Sequence, residues 1–117
     1  MITLRETKQQ IEADPKYWVV HLMDFVDDFR YYKDLRAVSN PFDLTNDKMD
    51  ALLASTAQYI CDELKLETPE WILAVPACRD PWFVSGMESL KAIALVESPV
   101  QFRIRKVFVM ENFLSRV

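Results

Sequence analysis

Glycine is nearly absent from this 117-residue sequence, in which Gly86 is the only one. A phosphate-binding P-loop and a dinucleotide-binding fingerprint both need several glycines, because the backbone has to approach the phosphate closely. Tight hairpin turns also depend on glycine. The scarcity of this residue therefore excludes the two common nucleotide-binding motifs and argues against a fold built from β-hairpins.

Cysteine is scarce, and the sequence lacks long apolar runs and a secretion signal. Cys61 and Cys78 are too few for the disulfide framework of a small secreted domain and too far apart for a CxxC redox or zinc pair. The N-terminus, MITLRETKQQIEAD, is charged, and apolar stretches such as residues 71–75 are much shorter than a membrane span. We therefore predict reduced thiols, no membrane segment and a cytoplasmic location.

An excess of positive charge is lacking as well, since the formal net charge is -4. Residues 1–70 carry 14 acidic and 8 basic side chains, whereas residues 71–117 carry 4 acidic and 6 basic ones. A domain that binds nucleic acid with its whole surface is usually strongly basic. The charge distribution argues against that class and leaves a local basic patch in the second part of the chain.

Apolar residues make up half of the sequence, and 12% of the residues are aromatic. The length fits one domain that covers residues 1–117. A chain of this size buries roughly two thirds of the surface that it exposes when unfolded. We therefore predict one compact core that folds without disulfide bonds.

Five of the six prolines follow a residue type that caps helices. The pairs are Asp14-Pro15, Asn40-Pro41, Thr68-Pro69, Asp80-Pro81 and Ser98-Pro99. Proline is tolerated at the first helical position, and a preceding Asp, Asn, Ser or Thr accepts hydrogen bonds from the free amides. Each pair predicts the start of a helical segment. Capping boxes at Thr3 with Glu6, Ser85 with Glu88 and Ser98 with Gln101 support this division.

Four longer helices follow from the apolar periodicity. We expect them over residues 3–13, from Pro15 onwards, over 46–64 and over 86–97. The second helix carries an apolar stripe formed by Trp18, Val19, Leu22, Phe25, Val26, Phe29 and Tyr32. The fourth helix is expected to bury Leu90, Ile93 and Ala94. Residues 66–84 hold two short Pro-initiated pieces. The sequence predicts an all-α helical bundle of four to six helices.

The C-terminal segment has two interpretations. Its start at Ser98-Pro99 is helical, whereas residues 102–105 alternate apolar and basic side chains as a half-buried strand does. Residues 107–109, Val-Phe-Val, favour extended structure. A lone strand needs a partner, and no other stretch is predicted to be one. We expect a helical turn followed by an extended segment that packs on the bundle, and whether residues 102–110 form helix or strand stays open.

Catalytic groups are few, and the best set lies on the second helix. His21, Asp24 and Asp28 are spaced to bring an imidazole and two carboxylates to one helix face, where they could bind a divalent metal ion. The competing interpretation is a solvated acidic face. Cys61 fits a buried thiol, and Cys78 lies beside Arg79, which is expected to lower its pKa somewhat. No base is evident for either thiol.

Aromatic and basic side chains in the second part of the chain are candidates for binding a partner. Trp71, Trp82 and Phe83 fit anchors in an interface, or plugs at the end of the bundle. The tail offers cations for phosphates or an acidic partner and aromatic rings for base stacking, namely Arg103, Arg105, Lys106, Arg116, Phe102 and Phe108. These cations are equally explained by pairing with the chain's own acidic residues.

Several motifs together resemble a family of small uncharacterised bacterial proteins of about this length. They are FVDDFR at 25–30, TPEW at 68–71, DPWF at 80–83 and LKAIALVESPVQFRIRKVFVMENFLSR at 90–116. The resemblance covers nearly all of the chain after its first helix. It implies a bacterial source and a compact soluble domain, and it carries no catalytic residue. Ile104 and Lys106 depart from the more basic FRRRNIFV-like form of the family.

These observations favour a non-catalytic protein-binding or accessory domain, antitoxin-like in role, with no cofactor. We predict that its partner is another protein or a second copy of the chain. The predicted partner-binding residues are Trp82, Phe83, Arg103, Arg105 and Lys106. The alternatives are a nucleic-acid-binding protein that uses the basic tail and a metal-dependent enzyme that uses His21, Asp24 and Asp28.

Overall fold

The first and third helices begin close to the predicted positions, each at a capping side chain, of which only Thr3 was predicted to be a cap. In the computed structural model, which describes residues 1–115, Thr3 Oγ1 accepts a hydrogen bond from the Glu6 amide at 3.1 Å and helix α1 runs Leu4–Ala13. Asn46 Oδ1 accepts from the Met49 amide at 3.2 Å, and α3 runs Asp47–Glu63. Each cap satisfies an amide that has no partner within the first helical turn.

The remaining elements are shorter, apart from the second helix. Within residues 1–115 the chain forms six α-helices and two two-residue strands, which confirms the predicted all-α bundle. Besides α1 and α3, these elements are α2 Trp18–Tyr32, α4 Glu70–Leu73, β1 Trp82–Phe83, α5 Lys91–Glu97, α6 Val100–Arg103 and β2 Val107–Phe108. Single 3₁₀ turns lie at Pro15–Tyr17, Leu35–Val38 and Glu88–Leu90. None of the helices in the described part of the chain is both long and apolar enough to span a membrane.

The prediction from the prolines is right at three positions and wrong at two. Helical segments follow Asp14-Pro15, Thr68-Pro69 and Ser98-Pro99, but residues 41–46 are irregular and Pro81 precedes strand β1. Proline fixes only φ, near −65°, and that value suits an extended backbone as well as a helix. Pro69 and Pro99 themselves stand before their helices, with ψ of 144° and 151°. A proline therefore marks where a segment starts without deciding its type.

Two of the predicted capping boxes do not form. Ser85 Oγ accepts from the Met87 amide rather than from Glu88, and the following turn is a 3₁₀ turn. Ser98 does not cap α6, because its hydroxyl is buried among other partners. The fourth helix is therefore shorter than the predicted residues 86–97, and Ile93 is exposed rather than buried.

Helix α3 is the centre of the bundle. It packs against α2, α4 and α6, and α1 packs on α2. Leu22, Phe25 and Phe29 of α2 are fully buried against this core. The predicted stripe on α2 is wrong at its two ends, since Tyr32 and Val19 are exposed.

The strand partner of the C-terminal segment is the piece that was predicted to be a Pro-initiated helix. Strand β1 pairs with β2 in parallel, with Trp82 opposite Val107 and Phe83 opposite Phe108. The Trp82 amide donates to the Lys106 carbonyl at 2.9 Å, and the Val84 amide donates to the Phe108 carbonyl at 3.1 Å. Both interpretations of the tail are thus partly right: α6 is followed by a turn and then by β2.

Three lysines stand where helices usually end in glycine. Lys33, Lys65 and Lys106 have φ of 53°, 59° and 60°, and they follow α2, α3 and α6. A residue with a Cβ atom is strained in this left-handed conformation, whereas glycine adopts it freely. The scarcity of glycine is therefore matched by local strain at these three turns.

Replacing Lys33 by glycine is expected to raise the free energy of unfolding by about 0.5 to 1 kcal/mol, because the strain at φ 53° is removed. Urea unfolding followed by circular dichroism measures the change. Lys48→Gly, inside α3, is the matched control and is expected to lower stability by a similar amount. Equal destabilisation by both substitutions would contradict the prediction.

Candidate functional site

Up to residue 115, the basic tail does not turn all of its cations to the surface. Phe102 and Arg105 are buried, whereas Arg103, Ile104 and Lys106 are exposed. The buried pair is three residues apart, which is the spacing of one helix face. The alternation that suggested a strand with outward cations is therefore misleading here, since Ile104 points outward and Arg105 inward.

Arg105 is wrong as a partner-binding residue, because its side chain is inside the protein. The residue is 3% exposed, and burial lowers the pKa of its guanidinium. Its nitrogens reach five acceptors, which are the carbonyls of Ile72 (2.9 Å), Val75 (3.3 Å) and Gln101 (2.9 Å), Gln58 Oε1 (2.8 Å) and Ser55 Oγ (3.5 Å). The residue joins α3, the end of α4 and α6, and its side chain is not at the surface.

The two other predicted cations lie at the surface, with different roles. Arg103 Nη2 donates to the carbonyls of Val96 at 3.2 Å and Ser98 at 2.8 Å, at the end of α5. Lys106 is exposed, and its carbonyl pairs with strand β1. Arg116 lies outside the described residues. Arg103 therefore helps to hold α5 in place, and Lys106 is free to contact a partner only through its side chain.

The exposed charges of the second part of the chain balance. Those outside the core within residues 71–115 are the cations Arg79, Lys91, Arg103 and Lys106 and the anions Asp80, Glu88, Glu97 and Glu111. The full sequence gives this part a surplus of cations because it also counts Arg105, which is buried, and Arg116, which lies outside the described residues. The predicted basic patch is therefore reduced within residues 71–115, and of the two rings predicted to stack on bases Phe102 is buried and Phe108 is half-buried.

The predicted aromatic anchors are half-buried and pack on one another. The Trp82 ring lies 6.3 Å from that of Trp18, and the Phe83 ring stacks on Phe108 at 5.0 Å. Trp71 Nε1 donates to the Val38 carbonyl at 2.8 Å, which holds its indole against the bundle. Trp82 and Phe83 thus support neighbouring residues at the surface, and Trp71 packs against the core while it stays half-buried.

His21, Asp24 and Asp28 are not brought together as a metal site. His21 Nε2 lies 3.2 Å from Asp14 Oδ2, and Asp28 Oδ2 accepts a hydrogen bond from the Ile2 amide at 2.6 Å. Asp24 and Asp28 line a shallow surface hollow without His21. Among residues 1–115, no group of three or more His, Cys, Asp or Glu side chains is arranged to hold a metal ion.

Both thiols are buried, and neither is activated. Burial raises the pKa of Cys61 to about 11 and also raises the pKa of Cys78, to which the negative charge of Asp47 adds. The expectation that Arg79 lowers the pKa of Cys78 is wrong, because burial and the nearby Asp47 carboxylate both raise it. Thiolate is the reactive form, so nucleophilic chemistry is disfavoured at both positions.

Neither thiol of the folded protein is expected to react with a disulfide reagent such as DTNB at neutral pH, since both are buried and protonated. After addition of guanidinium chloride, both Cys61 and Cys78 should react. Absorbance of the released chromophore counts the reactive thiols. Rapid reaction of Cys78 before unfolding would contradict the burial described here.

The most unusual surface of the molecule is helix α5, KAIALVE. Only Ala94 of this helix is buried, while Ile93, Leu95 and Val96 are 44%, 49% and 78% exposed. We call these three exposed side chains the α5 face. A helix that is apolar on all sides is normally buried on all sides. The α5 face is therefore apolar surface that the described part of the chain leaves uncovered.

The α5 face is held in a fixed position. Ser98 Oγ lies 2.6 Å from the Ala94 carbonyl and 3.0 Å from the Val109 carbonyl, and it accepts a hydrogen bond from the Val109 amide at 2.9 Å. Arg103 binds two carbonyls at the same end, as described above. The helix is thus tied to the residue after β2, so its exposure belongs to the folded structure.

An apolar groove adjoins the α5 face. It has a volume of about 290 Å³, and its lining includes Trp18, Val19, Ala94, Phe108, Val109 and Phe113. Charged side chains are not among its lining residues in the described part of the chain. Because Ala94 is the buried residue of α5, this helix forms one wall of the groove and also carries the exposed face beside it.

The sequence contained a signal for this surface that the prediction did not use. The segment 92–96 reads Ala-Ile-Ala-Leu-Val, which leaves no polar side for a helix to turn to water. We predicted that this helix buries part of its apolar surface in the core. The sequence did not show that the rest of the chain leaves most of the helix uncovered.

Comparison of the chain with known proteins finds no match. No protein-family model matches the chain, and searches of curated proteins and of solved structures return no similar protein. A function is therefore inferred from the chemistry of the surface itself.

Proposed function

We propose that this chain is a non-catalytic domain that acts by binding another protein chain in the bacterial cytoplasm, in an accessory role of the antitoxin kind. The observation that supports this proposal is the α5 face, where Ile93, Leu95 and Val96 are exposed on a helix with one buried residue. Exposed apolar surface of several hundred Å² is typical of an interaction site. The apolar groove beside them supplies the concave part of such a site.

The size of the apolar contact supports a protein partner. Removing the exposed parts of side chains such as Val96 and Leu95 from water is favourable by about 1 kcal/mol each. A partner that also fills the groove would add contacts with the rings of Trp18, Phe108 and Phe113. Aromatic side chains are common at the energetically important centres of protein interfaces.

The predicted partner-binding residues keep a supporting part in this proposal. Trp82 packs on Trp18 and Phe83 on Phe108, so both residues support lining residues of the groove. Arg103 fixes the end of α5, and Lys106 is exposed on the turn before β2. Arg105 is left out, since it is buried.

The proposed bacterial source rests on the resemblance to small bacterial proteins. The longest of the motifs that carry it, LKAIALVESPVQFRIRKVFVMENFLSR, contains α5, α6 and β2. The α5 face and several lining residues of the groove therefore lie within it.

In-cell photocrosslinking tests the proposal. A photoreactive phenylalanine analogue at position 96 of the full chain is expected to form an adduct with a protein, which mass spectrometry identifies. The matched control is position 44, because Leu44 is 58% exposed but lies outside the α5 face and the groove. If position 96 gives no protein adduct while the chain is folded, the proposal is wrong.

A further inference from the structure

We infer that the chain that covers the α5 face is a second copy of this protein, and that each copy inserts its α5 face into the apolar groove of the other. This inference rests on the proposed function, since it names the partner at the same surface. Three observations support it: the adjacency of face and groove, the balance of exposed charge, and the size of the apolar surface.

The first observation is that helix α5 carries the exposed face and also forms one wall of the groove. Ala94 lines the groove, while Ile93, Leu95 and Val96 project beside it from the same helix. A convex element next to a matching concave one is self-complementary across a two-fold axis, because the contact then occurs twice. A closed dimer satisfies both surfaces at once and leaves no half-contact to extend into a filament.

The second observation is electrostatic. The net charge of -4 comes from the acidic surplus of residues 1–70, whereas the exposed charges of residues 71–115 balance. Like charges brought together across an interface oppose association. Two copies that meet through α5 therefore bring together less like charge than copies that meet through the acidic first part of the chain.

The third observation is the area of apolar surface. Val96, Leu95 and Ile93 are joined by exposed Val19 on the groove rim and by exposed Val100 next to α5. Side chains of this size, exposed to this extent, together offer on the order of 500 Å² per copy. Two copies would then bury about 1,000 Å², which is the lower bound for a specific interface. We expect a dimer of modest, concentration-dependent affinity.

Sedimentation equilibrium of the full chain over a range of concentrations tests the inference. The wild-type protein is expected to show a monomer–dimer equilibrium. Val96→Glu, on the α5 face, and Val19→Glu, on the groove rim, are each expected to raise the dissociation constant by about ten-fold or more. Leu44→Glu adds the same charge at an exposed leucine elsewhere and is expected to change it by less than about two-fold.

A mixing experiment tests the reciprocal geometry. The Val96→Glu chain keeps an intact groove, and the Val19→Glu chain keeps an intact α5 face, so a mixed dimer retains one of its two contacts. Each variant alone retains neither. Dimer is therefore expected in the mixture at concentrations where both separate variants are monomeric. Circular dichroism confirms that the variants are folded, and Ser85→Trp, which fills the groove from its rim, replaces Val19→Glu if that chain unfolds.

Two results would overturn the inference. One is a wild-type protein that stays monomeric at every concentration, and the other is a mixture that dimerises no better than the separate variants. Photocrosslinking at position 96 then separates this failure from that of the proposed function. An adduct with a different protein leaves the proposed function standing, whereas no adduct at all removes both.

Discussion

Substitution of Arg105 by methionine is expected to lower the free energy of unfolding by about 3 to 5 kcal/mol. Methionine fills much of the same space, but it leaves the carbonyls of Ile72, Val75 and Gln101 without their donor. Each buried acceptor that loses its partner costs about 1 to 3 kcal/mol. Gln58 can turn to water, so its loss should matter less.

Urea unfolding curves for the wild type, Arg105→Met and Arg79→Met measure this effect. Arg79 is an exposed arginine in the same part of the chain, and its methionine variant is expected to stay within about 0.5 kcal/mol of wild type. Arg105→Lys should also be destabilising, because an ammonium group cannot reach acceptors on three helices at once. If Arg105→Met were as stable as Arg79→Met, the structural role of Arg105 would be refuted.

Replacing Lys8 by methionine is expected to lower the free energy of unfolding by about 3 to 5 kcal/mol. Lys8 Nζ lies 2.8 Å from Asp50 Oδ1, and the two side chains are 4% and 5% exposed. The ammonium group also donates to the Asp43 carbonyl and lies 4.7 Å from the centre of the Phe42 ring. Without it, a buried carboxylate has lost its counter-charge, which is the costly way to break an ion pair.

A double-mutant cycle with Asp50→Asn checks the origin of that loss. In the wild type, Asp50 Oδ2 accepts hydrogen bonds from the amides of Thr45 and Asn46 at 2.9 and 3.0 Å. The asparagine keeps an oxygen that can accept them. The double variant is therefore expected to be more stable than the sum of the two single losses predicts, by about 1 to 3 kcal/mol. Strict additivity in urea unfolding would show that the pair is not coupled.

Local signals predicted α1 and α3, but the helix start predicted at Asp80-Pro81 is wrong, since strand β1 forms there. Thr3 and Asn46 act within three residues of their own position, so the caps are visible in the sequence. Strand β1 depends on β2, which lies 24 residues later in the chain. A proline at position 81 is compatible with helix and strand, and only the distant partner decides between them.

The candidate site was only partly predictable for a similar reason. Trp82 and Phe83, which support lining residues of the groove, stand out in the sequence because aromatic clusters are conspicuous, and they stay predicted partner-binding residues. Arg105 was misjudged, because an arginine is rarely buried and the acceptors that make its burial possible come from three separate helices. The exposure of the α5 face depends on where the rest of the chain does not pack, which no local pattern encodes.

The late position of several core residues has a consequence for synthesis. Phe102, Val107 and Leu114 fill the interior beside α3, and Ser98 ties α5 to the residue that follows β2. While this stretch is still inside the ribosome, the core formed by the earlier helices lacks these side chains. Folding is then completed only after the stretch emerges, and the nascent chain exposes apolar surface to chaperones until that moment.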